Sequence, residues 1–205
     1  MKTLVVLSSI LGEASKSAEL ARHLVDRLRG GQPGDEIVVR DLASEPVPYF
    51  DGETAAALFT PAEARTPQQQ RLVEASDALI AELLAADRIV ITAPVYNFGI
   101  PAQLKSYFDH LARAGVTFRY TESGAEGLVR GKQVIVLVTR GGQALGTPVD
   151  SMTPYISTFL GFLGITDLSV VAAEGIKLGE DVAAASLQAA RERIDALLQA
   201  QLEAA

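Results

Sequence analysis

The stretch that decides the fold is Thr3-Leu4-Val5-Val6-Leu7-Ser8-Ser9, an apolar run that ends in two serines. Two later stretches have the same form, with apolar runs at 88–93 and 133–138 that each lead into a loop. Continuous apolar runs are typical of strands in a parallel sheet that is covered on both faces. Ligands bind beyond the carboxyl ends of such strands, so we expect the three loops to meet at one crevice.

Helical patterns alternate with these strands. Apolar spacing predicts helices over residues 15–29, from 66 to about 86, from 101 onward, over 150–163 and over 180–204. Thr66, Pro67 and Gln69 suit the N-cap, N1 and N3 positions of the second helix. Further strands are predicted at 36–40 and 167–173, with a hairpin-like insertion within 116–128. Pro46, Pro48 and Gly52 lie within residues 41–65, which predicts an irregular excursion near the crevice.

This alternation predicts an α/β fold with a doubly wound parallel sheet of five strands. Ligand loops after the first, third and fourth strands fit the flavodoxin-like strand order 2-1-3-4-5, with helices on both faces. No internal repeat or linker of biased composition interrupts the chain, so residues 1–205 are predicted to form a single domain.

The composition argues against several kinds of partner. The net charge is −7 and no basic stripe stands out, so we expect no nucleic acid partner. No apolar run approaches the roughly 18 residues of a membrane span, so we expect no membrane partner. Cysteine is absent and the histidines are His23 and His110, so no metal site is expected. A chain without cysteine suits the reducing cytosol, which predicts a cytoplasmic protein. Residues 3–11 could also be the apolar region of a signal peptide, but they include the predicted first strand, residues 3–7.

Three serines surround the start of the first helix, with Ser9 after the strand and Ser15 and Ser17 on either side of Lys16. Hydroxyls, free N–H groups and the helix dipole together suit a phosphate monoester. The sequence has no G-x-G-x-x-G after this strand and no G-x-x-x-x-G-K-[ST] motif, which argues against dinucleotide and triphosphate sites of the usual kinds. Alternatively, Ser15 is an ordinary N-cap and Lys16 points to water.

The other two loops suit a flat ring. Tyr96, Asn97 and Phe98 lie between prolines, which hold nearby backbone groups in fixed directions. Such a loop can place apolar surface against a heterocycle and polar backbone groups against its edge. Gly141 and Gly142 in the third loop allow close approach of a ligand to the backbone. Alternatively, both loops are plain turns, with Tyr96 and Phe98 packed inward.

Six stretches of the sequence, which include parts of these loops, resemble a known family. They are residues 2–9, 93–98, 103–109, 113–121, 139–142 and 158–165. Together they resemble the flavodoxin-like family of FMN-dependent NADH azoreductases and NAD(P)H:quinone oxidoreductases over essentially the whole chain. The sequence A-G-V-T-F-R-Y-T at 114–121 and the loop P-V-Y-N-F at 94–98 are specific to this group.

The resemblance implies which residues hold FMN. It places the phosphate at Ser9, Ser15, Lys16 and Ser17. It places the ring system against Val95, Tyr96, Asn97, Phe98, Thr139, Arg140, Gly141 and Gly142. Asn97, Tyr120 and Phe162 are implied to line the substrate cavity. Val95 and Thr139 stand where relatives often have methionine and serine, and both keep the backbone role.

The implied activity is an enzymatic two-electron reduction through FMN, with no catalytic side chain assigned. NADH or NADPH would reduce the flavin and leave, and a quinone or an aromatic azo compound would then be reduced in a ping-pong cycle. The alternatives are a flavodoxin-type electron carrier or a flavin-dependent interaction protein. A hydrolase triad at His110 is disfavoured because no G-x-S-x-G elbow supplies a serine. A phospho-acceptor receiver domain is disfavoured because Ser8-Ser9 stand where it needs an acidic pair.

The resemblance also implies a homodimer with two active sites at the subunit interface. The sequence supports this at the helix over 150–163, where two faces are apolar. One face carries Tyr155, Phe159 and Phe162, and another carries Ile156, Leu160 and Leu163. Apolar residues around so much of a helix indicate burial on two sides, one of them by a partner subunit. A plain core helix is the alternative.

Overall fold

The computed structural model describes residues 1–31 and 34–203, except the side chain of residue 202. The strands are β1 (Lys2–Leu7), β2 (Glu36–Asp41), β3 (Arg88–Pro94), β4 (Phe118–Thr121), β5 (Gly124–Gly127), β6 (Gln133–Thr139) and β7 (Asp167–Ala173). The helices are α1 (Lys16–Gly31), α2 (Gly52–Phe59), α3 (Pro67–Ala85), α4 (Ala102–Leu111), α5 (Met152–Leu163) and α6 (Glu180–Glu203). The predicted last residue of the final helix, 204, lies outside the described residues.

The main sheet is parallel and has the strand order β2-β1-β3-β6-β7. Because β4 and β5 stand apart as an antiparallel pair, this order is the predicted 2-1-3-4-5. All seven residues of the central strand β3 are buried, as expected of a strand in a parallel sheet covered on both faces. The predicted flavodoxin-like fold is therefore confirmed.

The two faces of the sheet build separate cores. Along β1, Leu4 and Val6 pack into the core on the side of α3, α4 and α5. Val5 points the other way and packs into the core with α1 and α6. This alternation follows from the two-residue period of a strand. Both faces are covered, so the crevice that remains open to a ligand lies at the carboxyl end of the sheet.

The prediction of an irregular excursion over 41–65 was wrong in part, because the segment contains α2. The Asp51 carboxylate caps this helix by accepting the Thr54 N–H at 2.8 Å. Burial of Ala57 and packing of α2 against α3 hold the helix in place. A run of three alanines favours a helix but gives little apolar periodicity, which is why the pattern was missed.

The predicted hairpin insertion is confirmed by β4 and β5, which pack against α5. The contact is a close approach of two backbones, because a Cβ at Gly127 would lie 2.1 Å from the Gly164 nitrogen. Next to it, the Val129 N–H donates to the Leu163 carbonyl at 2.9 Å. The hairpin can therefore dock against the end of α5 because residue 127 is a glycine.

Within the described residues, every helix falls short of the length and apolar character that a membrane span would need. Those residues also contain no group of three acidic or histidine side chains placed to hold a metal ion.

Candidate functional site

The three predicted loops meet at the carboxyl ends of β1, β3 and β6, which are neighbours in the sheet. The start of the first loop is joined to the end of β3, because the Ser8 N–H donates to Thr92 Oγ1 at 2.9 Å. The second and third loops are joined because the Val95 N–H donates to the Thr139 carbonyl at 2.9 Å. The expected crevice is therefore built from the loops that the sequence indicated.

The first loop collects hydroxyls at the start of α1. Ser15 caps the helix by accepting the Ala18 N–H at 3.1 Å, as the alternative interpretation of this residue stated. Its hydroxyl also lies 3.1 Å from that of the fully buried Ser17. Ser9 is buried at the other end of the loop. Because helix N-termini attract anions, these hydroxyls and the first N–H groups of α1 suit a phosphate.

Lys16 takes a different direction from the serines. Its ammonium lies 2.8 Å from Glu19 Oε2, and its side chain is half exposed on the surface of α1. This hydrogen bond is the largest cause of the lowered pKa of Glu19, and the charges of Lys16 and Arg191 add to it against the effect of burial. Of the four residues predicted to hold the phosphate, Lys16 is thus the one whose side chain is paired elsewhere, with Glu19.

The second loop is a tight turn with an unusual backbone. The Tyr96 N–H donates to the Gly99 carbonyl and the Gly99 N–H to the Tyr96 carbonyl, both at 3.0 Å. Between them Asn97 and Phe98 have φ of 49° and 67°, a left-handed conformation that costs side-chain-bearing residues of order 1–3 kcal/mol. Phe98 is 70% exposed, so it is not packed inward as the plain-turn alternative requires. Such strain is found where a site needs a fixed shape.

The charged side chain of the third loop turns into the protein. Arg140 is buried and donates from Nη2 to Asp150 Oδ1 at 2.8 Å, and its Nη1 lies 3.9 Å from Glu174 Oε1. Burial alone would raise the pKa of Asp150, but hydrogen bonds from Arg140 and Thr153 lower it overall. The Arg140 guanidinium therefore serves the loop's own structure. Its backbone is also used within the protein, because its N–H donates to the Ala173 carbonyl at 3.0 Å and its carbonyl accepts from the Ile176 N–H at 3.1 Å.

Glycine has a steric reason at position 141, whereas a Cβ at position 142 would meet open space. A Cβ on Gly141 would lie 3.0 Å from Lys177 Cγ, because the loop after β7 passes close behind. The Lys177 N–H donates to the Gly141 carbonyl at 3.0 Å, and the Gly175 N–H donates to the Gly142 carbonyl at 2.8 Å. The carbonyls of both glycines thus accept hydrogen bonds from the loop after β7.

The second and third loops border a cleft of about 310 Å³. Its lining residues are Val95, Asn97, Phe98, Arg140, Gly141, Gly142, Gln143, Ala144 and Val149. Gln143, Ala144 and Val149 were not predicted, because nothing in the turn-rich sequence after Gly142 marks which side chains point inward. Apolar walls, exposed backbone and few side-chain charges suit the edge and face of a neutral ring system.

Two of the three predicted cavity residues lie elsewhere in this chain. Tyr120 is 77% exposed on β4, and the half-buried Phe162 is on α5. Both contact Phe118, with ring centroids 5.4 Å from Tyr120 and 4.5 Å from Phe162. Among the described residues, no contact joins Tyr120 or Phe162 to the cleft. Asn97 is therefore the one predicted cavity residue that lines it.

Phe98 also lines a second, more apolar cleft of about 480 Å³. Its other lining residues are Gly99, Ile100, Ala102, Lys105, Ser151, Met152 and Tyr155. The exposed Phe98 ring therefore separates two clefts, one against the third loop and one against α4 and α5.

Comparison with known proteins identifies the family of this chain. A family model described as a flavodoxin-like fold matches residues 1–198. The FMN-dependent NADH:quinone oxidoreductase of Bordetella bronchiseptica is 62% identical over 96% of this chain and 95% of its own length. That of Pectobacterium atrosepticum is 53% identical over 97% of this chain and 99% of its own length.

Solved structures agree with the sequence relatives. An azoreductase from Bacillus anthracis str. Sterne superposes with a TM-score of 0.88 at 30% identity, covering 96% of this chain and 98% of its own. An FMN-dependent NADH-azoreductase from Bacillus anthracis str. Ames Ancestor, solved in complex with FMN, gives 0.84 at 25% identity with the same coverage of both chains. The chain therefore belongs to the flavodoxin-like family that includes the FMN-dependent NADH:quinone oxidoreductases and azoreductases.

Proposed function

We propose that this protein is an FMN-dependent enzyme that transfers two electrons from NADH or NADPH to quinones and cleaves aromatic azo compounds to amines. The observation that carries the proposal is that three loops meet at one edge of the sheet. They are the first loop with Ser9, Ser15 and Ser17 (the serine loop), the strained Tyr96–Gly99 turn, and the third loop with Gly141 and Gly142 (the glycine loop). The names of relatives more than 60% identical, which are NADH:quinone oxidoreductases, support the same activity.

The residues present fit FMN. The hydroxyls of Ser9, Ser15 and Ser17 and the N-terminus of α1 would hold the phosphate, which is the only strongly charged part of the molecule. The turn at residues 95–98 and the loop at residues 139–142 would hold the ring system between them. When bound, FMN supplies the chemistry, since its ring accepts a hydride and passes on two electrons.

The chain's own groups would position the reactants. Asn97, exposed at the tip of the strained turn, offers an amide to the substrate. The exposed Phe98 ring offers an apolar surface for stacking at the mouth of the cleft. No side chain is required as a nucleophile, and protons would come from solvent.

We further propose that the enzyme is a homodimer in which Tyr120 and Phe162 reach the cavity of the partner subunit. Within one chain these residues lie in an aromatic surface cluster around Phe118, away from the cleft. The same side of α5 carries the half-buried Tyr155 and Phe159, which contact the buried Phe108 at centroid distances of 6.4 and 4.4 Å. Extensive aromatic surface of this kind suits a subunit interface.

Steady-state kinetics test the reaction sequence. A ping-pong cycle predicts parallel double-reciprocal lines when the rate of NADH oxidation is measured at several fixed concentrations of benzoquinone. Intersecting lines would mean that both substrates bind together and would overturn this order. The same assay with NADPH and with an aromatic azo dye tests the nicotinamide range and azo cleavage.

We also propose that residues 1–205 form a single FMN-binding domain and that the protein acts in the cytoplasm. Support for the domain comes from the family match over residues 1–198. Support for the location comes from a sequence without cysteine. Fractionation of cells that express the protein tests the location, and a single cooperative unfolding transition tests the domain.

A further inference from the structure

A contact between two hydroxyls ties the first loop to the second. Tyr96 Oη lies 3.0 Å from Ser9 Oγ, across 87 positions of sequence. The Ile10 N–H donates to the same Tyr96 oxygen at 3.2 Å, and the Leu11 N–H donates to Ser9 Oγ at 3.3 Å. Ser9 is 5% exposed and Tyr96 is half-buried, so water competes poorly for the contact between the two hydroxyls. The backbone just after β1 is therefore held by a side chain from the turn after β3.

The donors and acceptors of this contact decide where the Ser9 proton goes. Tyr96 Oη accepts from Ile10 and Ser9 Oγ accepts from Leu11, so each hydroxyl still has one proton to donate. One of these protons lies between the two oxygens. A phenol is more acidic than an aliphatic alcohol and is the better donor, so Tyr96 donates to Ser9. Ser9 Oγ then accepts two hydrogen bonds, and its own proton is left for a third group.

We propose that Tyr96 is a positioning residue whose hydroxyl orders the first loop and turns the Ser9 proton toward a phosphate oxygen of the ligand. The role of the phosphate rests on the proposed function, whereas the ordering of the loop does not. The strained backbone of Asn97 and Phe98 fixes the direction in which the turn leaves Tyr96. One element therefore shapes the ring site and also orients a donor in the phosphate site.

Hydrogen exchange of the protein without flavin tests the ordering. In Tyr96→Phe the Ile10 N–H loses its acceptor, so we expect amides of residues 9–12 to exchange about tenfold faster than in the unchanged protein. Tyr49→Phe is the matched control, because Tyr49 is 76% exposed and the described hydrogen bonds do not include its hydroxyl. We expect exchange in residues 9–12 to be unchanged in that variant.

Binding of FMN and of riboflavin, which lacks the phosphate, tests the direction of the Ser9 proton. We expect Tyr96→Phe to weaken FMN about tenfold, because a hydrogen bond to a charged group is lost or misdirected. Riboflavin affinity should change less than about twofold, since Tyr96 acts through the phosphate loop. Ser9→Ala should show the same pattern, and adding Tyr96→Phe to it should cause little further loss.

The outcomes separate the two proposals. Unchanged exchange in residues 9–12 of Tyr96→Phe, or equal weakening of FMN and riboflavin, would overturn the role of Tyr96. Additive losses from Ser9→Ala and Tyr96→Phe would show that the hydroxyls act independently and would overturn it too. If the unchanged protein binds neither flavin, the proposed function and the phosphate role fail together, while faster exchange would still establish the tie between the loops.

Discussion

At the scale of single residues, the site depends on Asn97 and Phe98 in a left-handed backbone that glycine adopts more easily. The two hydrogen bonds between Tyr96 and Gly99 and the bond from the Ser151 hydroxyl to the Phe98 carbonyl hold this turn. The sequence contains both residues, but it gives no sign of their φ angles. A strained conformation that keeps Phe98 exposed has a clear use in binding, whereas in a plain turn it would only cost stability.

Ser17→Ala tests the phosphate site. The Ser17 hydroxyl is buried beside Ser15, and its loss should weaken FMN by about 1.5–3 kcal/mol, the value of a hydrogen bond to a charged group. Fluorescence titration of the protein without flavin measures the change. Ser44→Ala, on an exposed turn after β2, should leave the affinity unaltered. FMN affinity that is equal in both variants would mean that the phosphate binds elsewhere.

The buried His110 should make stability depend on pH. Burial lowers its pKa, and this outweighs the opposite effect of its hydrogen bond to the Pro48 carbonyl. The unfolded chain, with the ordinary pKa of 6.5, takes up a proton that the folded protein refuses. The contribution of neutral His110 to stability is therefore fully present above pH 6.5, and it is lost as the pH falls toward the lower pKa of the folded state.

Urea unfolding at pH 7.5 and 5.5, taken as about one unit on either side of the ordinary histidine pKa, measures this effect. His110 should lower the free energy of unfolding by at most about 1.4 kcal/mol per pH unit, so the fall should be smaller in His110→Gln than in the unchanged protein. An identical fall in His110→Gln would exclude His110 as the cause.

At the scale of elements, Gly127 should be essential for docking the hairpin. In Gly127→Ala the new Cβ would meet the backbone of Gly164 and Leu163, which cannot move without unwinding the end of α5. We expect a loss of about 2–3 kcal/mol or more in the free energy of unfolding by urea. Gly30→Ala, in the last turn of α1 with open space around it, should be neutral or slightly stabilising. Equal stability of the two variants would contradict the close contact.

The elements differ in how well their sequences predicted them. The inner strands β1, β3 and β6 were predictable because each is a mainly apolar run that leads into a loop, and α3 was predictable from its start. There, Thr66 and Gln69 form the expected capping box. The helix α2 was not predictable, because its sequence has three consecutive alanines and no stripe of larger apolar residues. The inward turn of Arg140 and the bond between Ser9 and Tyr96 depend on packing between distant segments, which a local pattern cannot express.

At the scale of the whole molecule, the aromatic cluster on β4 and α5 should join two subunits. Tyr120→Lys places a charge on this surface at a residue that is 77% exposed, so the subunit itself should still fold. Light scattering should give twice the 21.7 kDa chain mass for the unchanged protein and a lower value for the variant. Leu84→Lys, at an exposed residue of α3, is the control and should remain dimeric. A monomeric unchanged protein would contradict the proposed dimer.

The central claim is that the serine loop, the Tyr96–Gly99 turn and the glycine loop together hold one FMN. Titration of the protein without flavin, followed by the fluorescence of added FMN, tests it most directly. We predict saturation at one FMN per chain, with riboflavin binding more weakly because it lacks the phosphate that the serines receive. FMN that stays fluorescent and unbound, or that binds no better than riboflavin, would contradict the account.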